Sequence, residues 1–356
     1  MSKKKIGNML KKIINNYFFK IITFPLSILY GLVSTIRNYL YDTNIIKPKH
    51  LTCKVISVGN ITMGGSGKTP TVEFLAHYLK SIGKNVGIIS RGYGRESKDV
   101  LVVTDGITKP LLWEKFGDEA FLLSNKLDDI PIIVGNSKYQ AGLKMVNNFN
   151  IDVIIVDDGF QHRSLHRDLD IVLINSKDTS STHRLIPIGL LREHLKNLKR
   201  ADLLVFTKTN IHDKNDYIFE KFDNTKTDKI KSLIEFSSVL KNKNNTELKT
   251  SEVESQDVYL FSALGDNEGF KKTIIKIGCN IVGHHKYPDH HRYKDYDLKK
   301  IQELAFKNKA KFIITTEKDM VKIKDFKTSI DVYAVQMVLK FSPEKKLKNY
   351  VNNLFS

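Results

Sequence analysis

The fold is decided by residues 58–70, which read VGNITMGGSGKTP. A β-branched run over residues 55–58 leads into this stretch, and a segment with helical periodicity begins near Pro70. A glycine-rich loop that lies between a strand and a helix and ends in Gly-Lys-Thr is typical of phosphate-binding loops. Glycine lets backbone amides surround phosphate oxygens, and the helix N-terminus attracts negative charge. The stretch therefore predicts a nucleoside triphosphate site.

The residues of this loop have distinct expected roles. Lys68 is predicted to neutralise charge on the β- and γ-phosphates, and Thr69 to offer its hydroxyl to Mg²⁺. Thr62 stands where the strict motif has its first glycine, so the loop is a variant. The predicted ATP-binding residues are Thr62, Met63, Gly64, Gly65, Ser66, Gly67, Lys68 and Thr69.

Short apolar, β-branched runs alternate with helical segments along most of the chain. Such runs are typical of parallel strands covered on both faces, and their alternation with helices builds an α/β sheet with right-handed crossovers. We therefore predict an α/β fold with a mostly parallel sheet of the P-loop NTPase type. The predicted strands lie at 55–58, 86–89, 132–134, 153–156, 171–174, 203–206, 258–261, 280–283 and 312–315, and the predicted helices at 72–81, 118–127 and 298–308.

The chain divides into three predicted parts. Its 356 residues exceed what one hydrophobic core usually fills, and residues 212–254 have the polar, weakly periodic composition of a boundary. We expect a hydrophobic and basic membrane-associating segment at 1–45, a P-loop core at 46–235, and a smaller α/β domain at 236–356 that contributes to the active-site cleft.

The N-terminal segment combines basic and apolar residues. Lys3, Lys4, Lys5, Lys11 and Lys12 precede an apolar stretch from Tyr17 to Thr35, which Lys20 and Pro25 interrupt. A signal peptide is not expected, because the apolar stretch is long for one and no small-residue cleavage pattern follows it. We expect a helix that lies in a membrane interface, with a spanning helix and a helix packed on the protein's own core as the alternatives.

The net charge of +18 predicts attraction to anions, including nucleotides and acidic lipids. Nucleic acid is not an expected partner because no nucleic-acid-binding motif or aromatic stacking platform is present. The two cysteines, Cys53 and Cys279, lack the spacing of a zinc or disulfide framework, and we expect both to be buried thiols.

Two adjacent carboxylates follow the strand predicted at 153–156. In P-loop enzymes the carboxyl end of such a strand carries a second ligand for the metal, so Asp157 and Asp158 are the candidates. Neighbouring side chains point in different directions, and which carboxylate binds Mg²⁺ stays open. Arg91 and Arg95, in the sequence SRGYGR, follow another strand and could bind phosphate, or else lie in an exposed turn.

Further ionisable residues follow later elements. Asp118 opens a predicted helix and is either its N-cap or a general base. The sequence YPDHHRY at 287–293 offers a His–Asp pair for proton transfer, with a surface turn as the alternative. The sequence TTEKD at 315–319 ends a strand and either faces the cleft or forms a solvated turn.

Taken in order, GGSGKTP, SRGYGR, GDEA, DDGFQH, residues 185–193, YPDHH and TTEKD resemble the tetraacyldisaccharide 4′-kinase family, the lipid A 4′-kinases. The resemblance covers nearly the whole chain. It implies ATP-dependent phosphorylation of the 4′-hydroxyl of a tetraacyl glucosamine disaccharide 1-phosphate, giving the lipid A precursor. It also implies work at the cytoplasmic face of the bacterial inner membrane, with the glycolipid as partner and no obligate protein partner.

The resemblance implies roles for individual residues. Asp118 corresponds to the family's proposed base and His290 to the histidine that acts with it, while the neighbouring His291 leaves the choice of imidazole open. Closure of the two domains would assemble this pair. Glu193 is an expected metal-side carboxylate, although Ile188 and Leu190 depart from the family's usual pattern in that segment. The candidates for binding substrate or phosphate are Arg91, Arg95, Gln161, His162 and Arg192.

Two other readings share the loop and the carboxylate pair. A P-loop ATPase would hydrolyse ATP to drive a protein partner, and it would need neither a lipid-facing N-terminus nor a base in a distant domain. A nucleotide-switched nucleic-acid module rests only on the net charge.

Overall fold

The structure is a computed structural model that describes residues 17–211, 216–223, 225–244, 246–323, 326 and 328–356. One sheet runs through the described residues in the order β11-β10-β12-β13-β8-β7-β6-β1-β5-β2-β4-β3, and β9 pairs with β8. The strands are β1 (Lys54–Asn60), β2 (Val86–Ser90), β3 (Leu101–Thr104), β4 (Ile132–Val134), β5 (Val153–Asp157), β6 (Leu169–Asn175), β7 (Leu203–Thr207), β8 (Asp228–Lys241), β9 (Glu247–Lys249), β10 (Asp257–Ser262), β11 (Asn280–Lys286), β12 (Phe312–Thr316) and β13 (Val332–Ser342).

Helices cover the sheet, and a 3₁₀ helix spans Leu195–Arg200. The α-helices are α1 (Tyr17–Asp42), α2 (Lys68–Ser81), α3 (Trp113–Phe116), α4 (Asp118–Lys126), α5 (Lys138–Asn148), α6 (Asp216–Asp223), α7 (Thr250–Val253), α8 (Asn267–Lys276), α9 (Asp295–Lys307), α10 (Glu317–Met320) and α11 (Glu344–Asn352). Every strand and helix predicted from the sequence is present, and the mostly parallel α/β fold is confirmed.

The central strands are parallel and almost fully buried. In β1, the parallel neighbours β5 and β6 place Val58 beside both Asp157 and Ile171. Because parallel strands end at the same edge, the loop after β1 and the carboxylates that end β5 lie together. This edge of the sheet holds the candidate site.

The sheet continues across the predicted domain boundary at 235/236. That boundary falls within β8, which pairs with β7 on one side and with β13, antiparallel, on the other. Two apolar clusters meet at this strand pair: one includes residues of β1, α2, β8 and β13, and the other includes residues of β10, β12 and β13. Helix α11, at the end of the chain, places Leu347 and Val351 in the first of these clusters. The division into residues 46–235 and 236–356 stays a prediction.

Helix α1 buries its polar side and exposes its apolar side. Its buried side faces the protein with Thr23, Ser27, Gly31, Ser34 and Asn38, one small or polar residue per turn. Its outward face is apolar, and each of these residues is about half exposed or more: Ile21, Ile22, Phe24, Leu26, Ile28, Leu29, Leu32, Val33, Ile36 and Tyr39.

Polar contacts hold the buried face of α1. Ser27 Oγ donates to the carbonyl of Leu185, and Tyr30 Oη to that of Arg192. Among the described residues, α1 is the one helix long and apolar enough to cross a membrane, over Ile21–Asp42, by length and composition alone. The five N-terminal lysines lie outside the described residues.

Candidate active site

The phosphate-binding loop has the backbone that its sequence predicts. Gly64 and Gly67 have φ values of 126° and 88°, which side chains other than glycine rarely allow, and α2 begins at Lys68 directly after Gly67. Ser66 is buried, and its Oγ has no hydrogen-bond partner among the described residues. A polar loop of this shape can accept phosphate oxygens at its amides and at this hydroxyl.

Residues outside the loop fix its shape. Asn175 Nδ2 donates to the carbonyl of Gly65 at 3.2 Å, and Met63 N donates to the carbonyl of Leu190 at 2.8 Å. The variant residue Thr62 is buried, and its Oγ1 donates to Asp178 Oδ2 at 3.0 Å. A glycine could not make this bond, so the departure from the strict motif has a structural role.

Asp157 ends β5 and Asp158 directly follows it beside the loop, and the two carboxylates have different environments. Asp157 is buried, and its Oδ2 accepts from Ser90 Oγ at 3.0 Å, while Oδ1 has no partner among the described residues. Burial, with a smaller contribution from Glu119, raises the pKa of Asp157 to about 6. A desolvated carboxylate oxygen without a hydrogen bond is suited to a cation.

Asp158 instead pairs with two cations. Its carboxylate lies 3.6 Å from Lys68 Nζ and 2.8 Å from an amino group of Arg192. Burial alone would raise the pKa of Asp158, but Lys68 and Arg192 outweigh it and hold the pKa well below its usual range. Asp158 therefore orients the loop lysine.

Asp118 and His290 meet across the cleft. Asp118 is buried at the start of α4, and His290 follows β11 in the C-terminal half; Nδ1 of the imidazole lies 3.0 Å from each carboxylate oxygen. The ring of Tyr93 packs on that of His290 at 4.5 Å. His291 points elsewhere: its Nε2 bonds to Asp297 at 3.0 Å and its ring stacks on Tyr287.

Two lysines surround Asp118. Lys322 Nζ lies 3.1 Å and Lys318 Nζ 3.9 Å from Asp118 Oδ2. Burial alone would raise the pKa of Asp118, but the hydrogen bond from His290 and the two lysines hold it well below its usual range. The sequence TTEKD therefore faces the cleft rather than solvent.

The Asp118–His290 pair, a dyad, and the phosphate loop lie in one cleft. A Cβ placed on Gly265, in the loop after β10, would lie 3.2 Å from Gly65 N and 3.4 Å from Asp289 Oδ2. Residues from the two halves of the chain thus touch between the loop and His290. Asp266, next in the chain, forms ion pairs with Lys177 at 2.7 Å and Lys208 at 3.0 Å.

Apart from Arg192, which pairs with Asp158, the four other candidates for substrate or phosphate binding are placed differently from one another. Arg91 is exposed at the end of β2, whereas Arg95 donates to the carbonyls of Lys98 and Asp99 in its own turn. Gln161 Nε2 donates to the carbonyl of Asn60 at 3.0 Å. His162 is half-buried, and burial, with Lys138, lowers its pKa to about 4.

Glu193 is fully buried in a network of donors. Arg200, Asn38, Asn197 and Gln161 all donate to its carboxylate at 2.9–3.1 Å. Both oxygens are occupied, so this geometry does not favour the expected metal contact. The network instead connects α1, through Asn38, to the segment that carries Arg192.

Sequence reasoning missed several residues of the site. Lys138 opens α5 fully buried, its Nζ has no hydrogen-bond partner among the described residues, and burial, opposed by Asp157, lowers its pKa to about 8. Lys322 and Asn60 also escaped notice; Asn60 Oδ1 accepts from Lys68 at 3.4 Å. In the sequence, a lysine within a polar turn looks like a solvent-exposed residue. Its burial becomes visible only in the folded structure.

Comparisons with known proteins agree on one family. The family model described as tetraacyldisaccharide-1-P 4′-kinase matches residues 19–356. The tetraacyldisaccharide 4′-kinase of Aquifex aeolicus is 37% identical over 93% of this chain and 98% of its own length, and that of Halothermothrix orenii is 36% identical over 88% and 86%. A crystal structure of the Aquifex aeolicus kinase in complex with ATP matches with a TM-score of 0.78 and 36% identity, covering 95% of this chain and 99% of that one.

Proposed function

The chain belongs to the tetraacyldisaccharide-1-P 4′-kinase family, and from this premise we propose how its residues perform the family's reaction. The activity is ATP-dependent phosphorylation of the 4′-hydroxyl of tetraacyldisaccharide 1-phosphate, a step of lipid A biosynthesis. The observation that carries the assignment of roles is the contact of Asp118 with His290 beside the phosphate loop. A kinase needs a base that takes the proton of the acceptor hydroxyl, and this base must lie beside the phosphate loop.

ATP binds with its phosphates on the loop from Thr62 to Thr69. The amides, the buried Ser66 hydroxyl and the N-terminus of α2 surround the phosphate oxygens, and Lys68 neutralises the charge that develops on the γ-phosphoryl group. Asp158 and Asn60, which contact Lys68, hold its ammonium toward the loop. These contacts position the phosphates before transfer.

Mg²⁺ is proposed at the edge of the loop, with Thr69 and Asp157 as its protein ligands. The unpartnered Oδ1 of Asp157 fits this role, while Asp158 is occupied by Lys68 and Arg192. No cluster of three or more His, Cys, Asp or Glu side chains that could hold a metal occurs in the described part of the chain. Mg²⁺ in such sites takes few protein ligands and completes its coordination with phosphates and water. When bound, it would neutralise charge on the phosphates.

Asp118 and His290 form the base. The 4′-hydroxyl proton passes to this pair as the hydroxyl oxygen attacks the γ-phosphorus and the bond between that phosphorus and the β,γ-bridging oxygen breaks. ADP leaves, and no positive charge builds up on the sugar oxygen. Asp118 is the acceptor that we propose, with His290 fixing its orientation through Nδ1. Arg91, His162 and Gln161 lie near the carboxyl ends of β2 and β5 and are proposed to contact phosphate groups of the substrates.

The glycolipid is reached at a membrane. The outward apolar face of α1 would enter the acyl region, as a helix with a wide apolar face does at a bilayer interface. The cytoplasmic face of the inner membrane is the proposed location because ATP is available there. Lysines of the N-terminal segment would favour an anionic leaflet.

The direct test supplies γ-labelled ATP, Mg²⁺ and purified tetraacyldisaccharide 1-phosphate in detergent micelles. We expect label in the lipid at a rate that depends on both substrates. Phosphate release without labelled lipid would support the alternative, an ATPase that acts on another partner, and would overturn the proposed function. A Lys68→Ala preparation controls for contaminating kinases.

A further inference from the structure

The turn that follows β12 sends two lysines into the cleft. Lys318 lies in α10 and Lys322 in the next turn, and their side chains are 14% and 0% exposed. Buried lysines are rare unless they are paired. The proposed reaction does not use either residue, although both approach Asp118.

Lys322 is held within the C-terminal half by Asp319. Its Nζ lies 3.5 Å from Asp319, whose carboxylate accepts from the backbone N of Ala263 at 3.0 Å and from Thr316 Oγ1 at 2.8 Å. Asp319 and Lys322 therefore fix the turn on β10 and β12. From this turn Lys322 reaches Asp118 as a second, buried ion pair.

Lys318 instead contacts four groups around the dyad. Its Nζ lies 3.2 Å from Glu119 Oε1, 3.3 Å from Asp289 Oδ1, 3.3 Å from His290 Nε2 and 3.9 Å from Asp118 Oδ2. Two of these groups belong to α4 and two to the loop after β11. A single ammonium thus holds the two elements that carry the dyad.

The contact with His290 also selects a proton position. A lysine ammonium can only donate, so the ring nitrogen Nε2 accepts and the proton of the neutral ring resides on Nδ1. Nδ1–H then donates to Asp118, whose carboxylate remains ionised between the ring and the lysines. Lys318 accordingly imposes both the tautomer and the orientation of the imidazole.

We propose that Lys318 is a positioning residue for phosphoryl transfer, which holds the Asp118–His290 pair in register. The proposal rests on the proposed kinase function. Without the ammonium, Glu119 and Asp289 repel each other and His290 loses the contact that sets its tautomer. The dyad then spends less time in the reactive arrangement, and a small displacement of a base has a large effect on the rate.

The test compares Lys318→Met with Lys318→Arg and with a matched control, Lys126→Met. Lys126 also joins α4 to α10 through an ion pair with Glu317 at 3.0 Å, and it pairs with Glu73 of α2 at 2.8 Å. It is 13% exposed, and its ion pairs within the described part of the chain do not include Asp118 or His290. Lys318→Met should lower kcat about 100-fold with a nearly unchanged KM for ATP. Lys318→Arg should recover part of the loss, and Lys126→Met should keep the wild-type kcat.

The pH profile separates a positioning role from a merely structural one. Loss of Lys318 raises the pKa of Asp118, so the acid limb of kcat/KM should move to higher pH in Lys318→Met and stay in place in Lys126→Met. The charged and titratable groups that face the dyad are Lys318, Lys322, Glu119, Asp289 and Tyr93.

Three results would overturn the proposal. They are a wild-type kcat in Lys318→Met, an equal loss in Lys126→Met, and an acid limb that does not move. Failure of the wild-type enzyme to label the lipid would refute the proposed function instead, so the two failures are distinguishable.

Discussion

Nδ1 of His290 lies 3.0 Å from both carboxylate oxygens of Asp118, although 172 residues separate the two in the chain. One belongs to a helix beside the phosphate loop and the other to a loop of the C-terminal half. The pair therefore forms only while the two halves of the chain are in contact.

Asp118→Ala and His290→Ala should each lower kcat by about 10²–10⁴-fold, the usual contribution of a general base. Because the two residues act as one unit, the double variant should lose little more than either single variant. Steady-state rates with labelled ATP measure this cycle. His291→Ala, whose imidazole pairs with Asp297, is the control and should keep near-normal turnover. Additive losses would show that the two side chains act separately.

Lys68→Ala should raise the KM for ATP and lower kcat together. The ammonium contacts Asp158 and Asn60 and faces the phosphates both in the ground state and during transfer. Fluorescent-nucleotide titration and initial rates measure the two effects. An unchanged nucleotide affinity would contradict the proposed role of the loop. Lys84→Ala, at a partly buried lysine after α2 whose ammonium lies over the ring of Phe355, serves as the control.

Asp118 should also affect stability in a pH-dependent manner. Its pKa in the folded state lies below the unfolded value of about 3.9, so the ionised carboxylate stabilises the fold above that pH, and the contribution is lost as pH falls through the folded value. Asp118→Asn should therefore unfold more easily than wild type at pH 7, with a smaller difference at pH 3. Urea unfolding measures both, and Asp129→Asn, an exposed carboxylate, is the control. A difference that grows toward pH 3 would contradict the assignment.

The two faces of α1 should respond differently to charge. Leu29→Asp on the outward face should weaken binding to vesicles that contain anionic lipid and leave the unfolding temperature unchanged, because the side chain is 59% exposed. Vesicle co-sedimentation is the measurement. Ile275→Asp, at an apolar residue of α8 that is 55% exposed, is the matched control and should bind vesicles as wild type does. Equal loss in both variants would point to general aggregation instead of a membrane face.

Glu193→Gln should act on stability more than on metal dependence. Removing one partner of a buried ion pair typically costs about 3–5 kcal/mol, and Arg200 would lose its carboxylate here. The Mg²⁺ concentration for half-maximal rate should be unchanged, since both carboxylate oxygens accept hydrogen bonds from protein groups. A large rise in that concentration with normal stability would restore Glu193 as a metal ligand.

The sequence allowed the phosphate-binding edge to be predicted because the signals there are local. Buried parallel strands such as β5 and β6 are continuous apolar runs, and the glycines of the loop have a backbone requirement. Strand β8 escaped prediction because its lysines and serines alternate with apolar residues in a segment that looks like a linker. Helix α11 escaped because most of its residues are polar and only Leu347 and Val351 are fully buried.

Contacts across the cleft were harder to predict. The pairing of Asp118 with His290 followed from the resemblance alone, since no local pattern indicates a partner so distant in the chain. The positions of Lys318 and Lys322 could not be predicted, because an ammonium becomes buried only where a carboxylate from another element is already present. The inward polar face of α1 was likewise hidden within an apolar stretch.

The chain crosses between the two halves on a pair of antiparallel strands, β8 and β13. Such a ribbon bends across its faces, whereas sliding one strand along the other would break its hydrogen bonds. The ribbon therefore resists a translation of one half of the chain along the other. Its register is one of the constraints that set the distance at which His290 meets Asp118.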